Sequence, residues 1–474
     1  MSLYSHSRSL PRRFRTVLTS FLQRPGLPFA DALPEEAIQK AFDDEDVSFA
    51  EDEDAVYTPP ITLWAFLSQV LFKGEQRSCV AAVARVVVLL VGLKRGPCST
   101  NTGAYCRARG KLSEQVIHRI TCEVGDGCER QVGADGLWRG RHVYLVDGTT
   151  VSMPDTPENQ AVYPQSDRQR RGLGFPIARV AVLLSLATGM VKDMAMGPYL
   201  GKETGETALW RQLLDRFEPG DILLGDRYFC SYFMMALLLE RGIDFVTRVH
   251  QLRRVDFRRG HRLGPGDHVV QWQRPQRPEW MDQQTYDRMP ASIEVRQVQV
   301  HVSQPGCRTR SFVLATTLTD SDKYTADDLA ELYHCRWTAE LDIRAIKITM
   351  GMDILRCKTP EMVGKEVWTC LLAYNLIRQA MLQSAHASGL QPRQLSFTAA
   401  LQSISANWLV VVLSDERTAE RLIHAVLARL PEHPVGHRPG RIEPRAVKRR
   451  PKPHDLLTQP RDQARAQLLK RKAS

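Results

Sequence analysis

Hydrophobic and polar positions recur with two different periods along the chain, and the change of period divides it into regions. Between 61 and 133 the apolar residues of ITLWAFLSQVLF and CVAAVARVVVLLVGL are spaced as in buried helices. From 141 to 250 the pattern is strand-like. RHVYLVDGTTVSM is followed by two strands joined at 187–189 and then by DILLGDRYF and DFVTRVH, with a helix before and after DILLGDRYF. This order predicts an α/β fold with helices packed on a mixed sheet.

The second half of the chain departs from this order. Alternating segments between about 250 and 318 predict antiparallel strands, which we interpret as an inserted β-rich unit. Helical spacing returns from Ala326 and again at about 362–384. From Arg438 twelve Lys and Arg accompany three Asp and Glu in a proline-containing tail that we expect to be largely disordered. The predicted regions are a variable basic and acidic segment (1–60), a helical domain (61–135), an α/β core in two pieces (136–249 and 319–400), the β-rich insertion (250–318), a helical region (401–437) and the tail (438–474).

Composition narrows the class of protein. Sixty-four Lys and Arg exceed 53 Asp and Glu, and the formal charge of +11 favours a polyanionic partner, although a basic protein without one fits as well. The longest apolar run is interrupted by Arg85 and is far shorter than the roughly 20 residues of a membrane span, so no membrane association is expected. No export signal is evident, which predicts a cytoplasmic, nucleoid-associated protein.

The ten cysteines form no CxxC pair and are interpreted as reduced thiols. The acidic segment 42–54 is typical of a solvated, self-repelling stretch rather than a metal site.

A group of basic residues precedes the last helix of the predicted helical domain. Tyr105, Arg107, Arg109 and Lys111 come together in AYCRARGKL. Such a group fits a small DNA-binding module, and it also fits a plain helical domain with a charged face. The sequence leaves both interpretations open.

A row of polar side chains in YHCRWTAELDIRAIK is the most distinctive pattern of the chain. Tyr333, Arg336, Glu340 and Lys347 lie at offsets of 0, 3, 7 and 14, which places them along one face of a single helix. A surface stripe of ion pairs has similar spacing, but such stripes seldom include a Tyr or a Trp beside the Arg. The alternative is that Glu340 is a metal ligand in a basic groove.

Three carboxylates are candidates for one site: Asp147 in the first predicted strand, Asp226 at the end of the fourth, and Glu340. Oxygen ligands suit Mg²⁺ or Mn²⁺, and a pair of such ions activates a water or a 3′-hydroxyl and stabilises the leaving oxygen. The two aspartates also fit a role as strand-end turn residues. Spacing alone does not exclude four rival aspartates, which are Asp155, Asp193, Asp221 and Asp342.

Three motifs in order, LVDGTT, LGDRYF and Y-x2-R-x3-E-x6-K, resemble those of the DDE-type transposases of bacterial insertion sequences, specifically the insertion-sequence-four group. The resemblance covers roughly residues 60 to 455. It implies a ribonuclease H-like catalytic core, interrupted by the β-rich insertion and preceded by a helical DNA-binding domain. It also implies that Asp147, Asp226 and Glu340 are catalytic and hold two Mg²⁺ ions, for which Mn²⁺ substitutes.

The same resemblance implies a reaction and its partners. A cut-and-paste transposase binds the terminal inverted repeats of its element and nicks the DNA with metal-activated water. The freed 3′-hydroxyl makes a hairpin at the transposon end, and the end is then joined to target DNA by a dimer synapsed on DNA. An inactive DNA-binding relative and a metal-dependent endonuclease are the alternatives. A base flipped out of the hairpin is expected to stack on Trp272 or Trp280, for which a core position is the other interpretation. Further DNA contacts are predicted for Tyr333, Arg336, Lys347, Arg227, Arg107 and Arg109.

Overall fold

A computed structural model of the protein describes residues 56–92, 96, 98–302, 311–436 and 455–473. The acidic segment 42–54 and the basic stretch before it lie outside the described residues, as does nearly all of the predicted variable segment 1–60. None of the described helices is long and apolar enough to cross a membrane.

A nine-stranded mixed sheet forms the centre of the fold, in the order β3-β2-β1-β4-β5-β9-β8-β7-β6. The first three strands are antiparallel neighbours, β1, β4 and β5 run parallel, and the remaining pairs are antiparallel. The predicted α/β class with a mixed sheet is therefore confirmed. The strands are β1 (Val143–Ser152), β2 (Ile177–Ser185), β3 (Val191–Pro198), β4 (Ile222–Gly225), β5 (Asp244–Arg248), β6 (His261–Gly264), β7 (Asp267–Gln273), β8 (Ser292–His301) and β9 (Ser311–Thr316).

Helices cover both faces of this sheet, and most begin at the polar caps that their sequences provide. Ser113, for example, accepts a hydrogen bond from Val116 N at the start of α4, and Thr359 accepts one from Met362 N at the start of α11. The helices are α1 (Pro59–Leu71), α2 (Cys79–Gly92), α3 (Thr102–Lys111), α4 (Glu114–Glu129), α5 (Pro157–Val162), α6 (Glu206–Arg211), α7 (Tyr232–Leu239), α8 (Gln283–Arg288), α9 (Ala326–His334), α10 (Trp337–Arg344), α11 (Pro360–Ala387), α12 (Phe397–Leu413), α13 (Glu416–Arg429) and α14 (Arg461–Ala473).

The N-terminal helices share a hydrophobic core with the sheet. Side chains of α1, α2 and α4 belong to the same buried cluster as those of α11 and of the strands β1 to β3. Buried Asn375 of α11 joins these layers, because its amide donates to Thr121 O at 3.1 Å and to Val191 O at 2.8 Å and accepts from Val191 N at 2.9 Å. The helical character predicted for 61–135 is confirmed, but this region packs on the sheet instead of forming a core of its own.

The β-rich insertion extends the central sheet. β9 pairs with β5 through Val246↔Thr316 and with β8 along its whole length, and β7 and β6 follow outward. A second buried cluster extends under both halves of the sheet, where the apolar faces of α6 and α7 meet side chains of β1 to β5 and of β7, β8 and β9. The strands expected in 250–318 are therefore present, and they continue the main sheet.

The expected single helix across Tyr333–Lys347 is divided. α9 ends at His334, α10 begins at Trp337, and a π-helix follows at Ala345–Thr349. Between α9 and α10, Thr338 N bonds to Cys335 O at 2.9 Å and Ala339 N to Arg336 O at 3.0 Å, so tighter i→i+3 bonds locally replace the α-helical ladder. A straight helical row from Tyr333 to Lys347 was therefore wrong, because neither junction keeps 3.6 residues per turn.

The C-terminal part is helical where it is described. α12 and α13 agree with the helical region expected at 401–437. Residues 437–454 and 474 lie outside the described part, but 461–473 form the exposed helix α14 instead of the disordered tail that its charge predicted.

Candidate functional site

Two of the three candidate carboxylates meet because of strand register. β1 and β4 are parallel neighbours with Leu145 opposite Leu224. Asp147 and Asp226 each lie two residues further on, so they project from the same face at the same level, and adjacent strands are separated by about 4.8 Å. The pattern of two strands that each carry an aspartate thus leads directly to a pair of facing carboxylates.

Asp147 occupies a half-buried position inside β1, where it lies opposite Val182 of β2. Its Oδ1 accepts a hydrogen bond from Gly148 N at 2.8 Å. Burial raises the pKa of Asp147 to about 6; the charge of Arg336 opposes this shift, and the charge of Asp226 adds to it. Removal from water, more than the neighbouring charges, therefore disfavours the ionised form of this carboxylate.

Asp226 is held by the turn that follows β4. Its Oδ1 accepts from Tyr228 N at 2.7 Å and so caps the short turn Arg227–Phe229. Its backbone oxygen accepts from Thr247 Oγ1 of β5 at 2.7 Å. Both contacts fix the backbone at 226, while Oδ2 keeps its capacity for another partner.

Arg336 links the third carboxylate to the first. Its Nη2 donates to Glu340 Oε1 at 2.8 Å, and its Nη1 lies 3.7 Å from Asp147 Oδ2. The guanidinium therefore sits between β1 and α10, and it brings Asp147 and Glu340 into one site. The two side chains therefore pair, as the ion-pair interpretation expected, and the metal-ligand role of Glu340 stays a prediction.

Tyr333 and Lys347 lie around this group. Burial raises the pKa of Tyr333 to about 12, and Arg336, Asp226 and Arg248 are its charged neighbours. Lys347 lies in the π-helix, and partial burial lowers its pKa below the usual value. Local π-helical segments are frequent at functional sites.

The four rival aspartates have other partners. Asp193 pairs with His118 at 2.9 Å and with Arg216 at 3.1 Å, and Asp342 is a buried partner of Arg378 and Arg393. Asp221 accepts a hydrogen bond from Glu218 N at 2.8 Å, and Asp155 is an exposed acceptor for the Gln160 amide. Each of these four carboxylates thus has a hydrogen-bond or ion-pair partner of its own, and none of them is needed to explain the Asp147 site.

A fourth carboxylate near Asp147 escaped the sequence reasoning. Glu206, the first residue of α6, is half-buried and lies within electrostatic range of both Asp147 and Asp226. It belongs to none of the three motifs and sits on a short helix, so no spacing rule pointed to it.

The two tryptophans expected to hold a base are placed differently. Trp272 is 5% exposed in the second core cluster, with the Arg253 guanidinium 3.7 Å from its ring centre. Trp280 is partly buried, and Arg211 lies 3.9 Å above its ring. Their contacts favour the core interpretation for Trp272, and a stacking role stays a prediction. Trp337, which the sequence reasoning did not select, is 53% exposed three residues before Glu340.

The predicted basic contacts divide into exposed and inward-facing residues. Arg107 and Arg227 are exposed. Arg109 instead points inward: it donates to Gln69 Oε1 at 3.0 Å and lies 4.9 Å above the ring of Phe66. Arg109 is thus part of the packing between α1 and α3, and DNA contact stays a prediction for the two exposed arginines.

A separate group of possible metal ligands lies between α4 and β3. His118, Cys122 and Asp193 offer ligand atoms within 4.8 Å of one another. Arg216 Nε, 3.1 Å from Asp193, supplies a positive charge there already, and the Asp193–His118 pair uses the remaining carboxylate oxygen. We assign no function to this group.

The Asp147 site fits a divalent cation by its donor set. Its candidate ligands are all carboxylate oxygens, which Mg²⁺ and Mn²⁺ prefer. Asp147, Asp226 and Glu206 lie within electrostatic range of one another, and a bound cation would offset the repulsion between these carboxylates. The residues present therefore fit the metal.

Comparison with known proteins places the chain in a family. The transposase DDE domain family matches residues 138–376, about half of the chain. The chain is 27% identical over 361 residues to the transposase InsG for insertion sequence element IS4 of Escherichia coli (strain K12), which covers 73% of this chain and 76% of that protein. It is 37% identical over 65 residues to the putative transposase InsL for insertion sequence element IS186A of the same organism, covering 14% of this chain and 18% of that one.

Among solved structures the chain is similar to a piggyBac transposase in a synaptic complex with hairpin DNA. The TM-score is 0.44 at 10% identity, over 85% of this chain and 86% of that chain. The family match begins just before β1 and ends within α11, so it contains the whole sheet and the helices that carry Arg336 and Glu340. The resemblance seen in the three motifs is confirmed. The chain belongs to the DDE transposases: it is a DNA transposase of the IS4 type, an enzyme that cleaves DNA and transfers its strands.

Proposed function

We propose that Asp147, Asp226 and Glu340 are the catalytic carboxylates of a cut-and-paste transposase and hold two Mg²⁺ ions. The observation that carries this proposal is the register of the adjacent parallel strands β1 and β4, which puts Asp147 and Asp226 at one level, with Arg336 joining Glu340 to Asp147. The order β3-β2-β1-β4-β5, with the first three strands antiparallel and the next two parallel, supports a ribonuclease H-like core.

Each residue of the site has a definite task in this proposal. The carboxylates hold and orient the metal-binding positions, with Asp226 fixed by its turn and Asp147 by the β1 backbone. Bound there, divalent cations supply an activated water or 3′-hydroxyl and stabilise the leaving oxygen. Arg336 bridges Asp147 and Glu340 before DNA arrives, and its remaining donors then bind a DNA phosphate. Lys347 and the exposed Arg227 bind further phosphates of the transposon end.

The DNA partners follow from the same proposal. Terminal inverted repeats and target DNA are bound by a dimer that assembles on the two ends. The helical region 61–135 contributes phosphate contacts through exposed residues of α3, Arg107 and Lys111. An enzyme with these substrates works at the nucleoid.

The products formed on a short duplex with one transposon end test the proposal. With Mg²⁺ or Mn²⁺ we expect a nick, then a hairpin at the end, and finally joining to a target plasmid, all resolved on a denaturing gel. EDTA is expected to abolish every product. Cleavage without hairpin or joined product would favour the endonuclease alternative, and binding without cleavage would favour the inactive relative.

The rate of cleavage is expected to fall as the pH decreases through about 6. Burial raises the pKa of Asp147 to about 6, and a protonated carboxyl does not bind a divalent cation. Because Mg²⁺ competes with the proton, a tenfold higher Mg²⁺ concentration is expected to move the midpoint to lower pH. Single-turnover rates between pH 5 and 8.5 at two Mg²⁺ concentrations check this. If the pH midpoint of the cleavage rate is the same at both Mg²⁺ concentrations, the assignment of Asp147 as a ligand is contradicted.

A further inference from the structure

We propose that Glu206 is a fourth carboxylate of the metal site and binds one of the two cations, directly or through a water. This inference rests on the proposed function, since it concerns the same cations as Asp147 and Asp226. It adds a residue from α6, outside the three motifs, to the reaction's machinery.

The position of Glu206 is defined by its close approach to Gly148. A Cβ atom at 148 would lie 2.3 Å from Glu206 Cδ and 2.5 Å from its Oε1. The φ angle of Gly148 is not positive, so a left-handed backbone conformation does not explain why a glycine is found at this position. The glycine is therefore explained by space: the Glu206 carboxyl group lies against the β1 backbone at 148, on the α6 side of the sheet, and within electrostatic range of Asp147 and Asp226.

The Glu206 carboxylate lacks a partner of its own. Within the described ranges it forms no hydrogen bond and has no Lys, Arg or His nitrogen within 4.0 Å, and Arg179 attracts it only from a greater distance. Three carboxylates, Asp147, Asp226 and Glu206, thus share a region in which Arg336 is the cation placed near Asp147. Such an arrangement costs free energy in the absence of a cation, and a cation bound among the three would remove that cost.

The helix α6 is held by other contacts, so its structure does not require a glutamate at 206. Trp210 and Leu209 are buried in the second core cluster. Arg179 of β2 donates to Thr204 O at 2.9 Å and secures the segment that leads into α6. Among the described residues, no hydrogen bond or ion pair of the Glu206 carboxylate therefore supports a purely structural role.

Binding of Mn²⁺ to the full-length, DNA-free protein tests the inference, with free Mn²⁺ measured by electron paramagnetic resonance at pH 8. We expect Glu206→Gln to weaken one Mn²⁺ site by about tenfold or more, as removal of groups that orient or bind a metal does. Gly148→Ala is expected to weaken the same site, because the added Cβ displaces the carboxyl group. The Mg²⁺ concentration for half-maximal cleavage should rise in parallel.

Glu203→Gln is the matched control, since Glu203 lies three residues earlier, is exposed and pairs with Arg211. Its Mn²⁺ binding is expected to equal that of the wild type. If Glu206→Gln binds Mn²⁺ within twofold of the wild type, the inference is overturned. If Glu206→Gln melts at a lower temperature than the wild type, Glu206→Asp is tested in its place, because it keeps the charge and shortens the side chain. Unchanged Mn²⁺ binding by Glu206→Asp also overturns the inference.

Asp226→Asn separates the two proposals. If this variant also leaves Mn²⁺ binding unchanged, the proposed function fails as well.

Discussion

Asp147→Asn is expected to abolish DNA cleavage and at the same time to make the metal-free protein more stable. Loss of a metal ligand removes several kcal/mol of transition-state stabilisation, so cleavage should fall by about 10³-fold or more. The same substitution is expected to increase the free energy of unfolding of the metal-free protein, because burial raises the pKa of Asp147 to about 6. An ionised carboxylate with that pKa destabilises the fold by up to about 3 kcal/mol at pH 8, and the neutral amide avoids this cost.

The pH dependence of the stability difference identifies its cause. The neutral carboxyl of Asp147 contributes its full share to folding below about pH 4, and this contribution is lost as the pH rises through about 6. Melting temperatures in EDTA should therefore differ least between wild type and Asp147→Asn at pH 4.5 and most at pH 8. Adding Mg²⁺ at pH 8 should stabilise only the wild type.

Asp155→Asn is the matched control, since Asp155 is a rival aspartate of the same region but is exposed and bound to the Gln160 amide. Neither cleavage nor stability should change by more than about 0.5 kcal/mol in this variant. Asp147 would lose its assigned role if its Asn variant cleaved DNA at a comparable rate, or if it were less stable than the wild type at pH 8.

The part of the site that depends on strand periodicity could be predicted from the sequence. Asp147 and Asp226 follow apolar runs of β1 and β4, and the parallel pairing of these strands puts them at one level. The short motifs around Asp147 and Asp226 are therefore enough to predict where these two side chains lie. The strands themselves were predictable because their apolar runs are bounded by turn residues, as at 187–189 between β2 and β3.

Tertiary contacts determine the rest. Glu206 reaches the site only because α6 packs over Gly148, a contact between residues 58 positions apart that leaves no local pattern. The division of the Tyr333–Lys347 segment depends on i→i+3 bonds at Cys335 and on the π-helix, although its residues have good helical spacing. A Trp in a strand gives no indication of whether it faces a core, and Trp272 proved to be buried.

The largest loss of stability is expected for Asp342→Ala, at about 3–5 kcal/mol. Asp342 is 1% exposed on α10, where it pairs with Arg378 of α11 and lies 2.9 Å from Arg393. Arg378 is 5% exposed and also donates to Tyr374 Oη at 2.8 Å. Removal of the carboxylate leaves the Arg378 charge buried without an anion, and desolvated charges without a partner are strongly unfavourable. The free energy of unfolding from urea titration measures the effect.

Cleavage should also decrease in Asp342→Ala, because Asp342 anchors the helix that carries Glu340 two residues earlier. The pair ties α10 to α11, and the Arg378 side chain in turn lies against Gly189 in the turn between β2 and β3. Weakening this tie lets α10 shift relative to β1, and small displacements of a catalytic group cost large factors in rate.

Two further variants separate a lost anchor from a buried unpaired charge. Asp322→Ala removes an exposed aspartate from the turn before α9 and should change stability by no more than about 0.5 kcal/mol. Replacing both partners, in Asp342→Leu with Arg378→Met, removes the unpaired charge of Arg378 and should recover part of the loss seen in Asp342→Ala. If the double variant is no more stable than Asp342→Ala, the loss comes from the missing contacts of α10. If Asp342→Ala itself is as stable as Asp322→Ala, the buried pair does not hold α10 against α11.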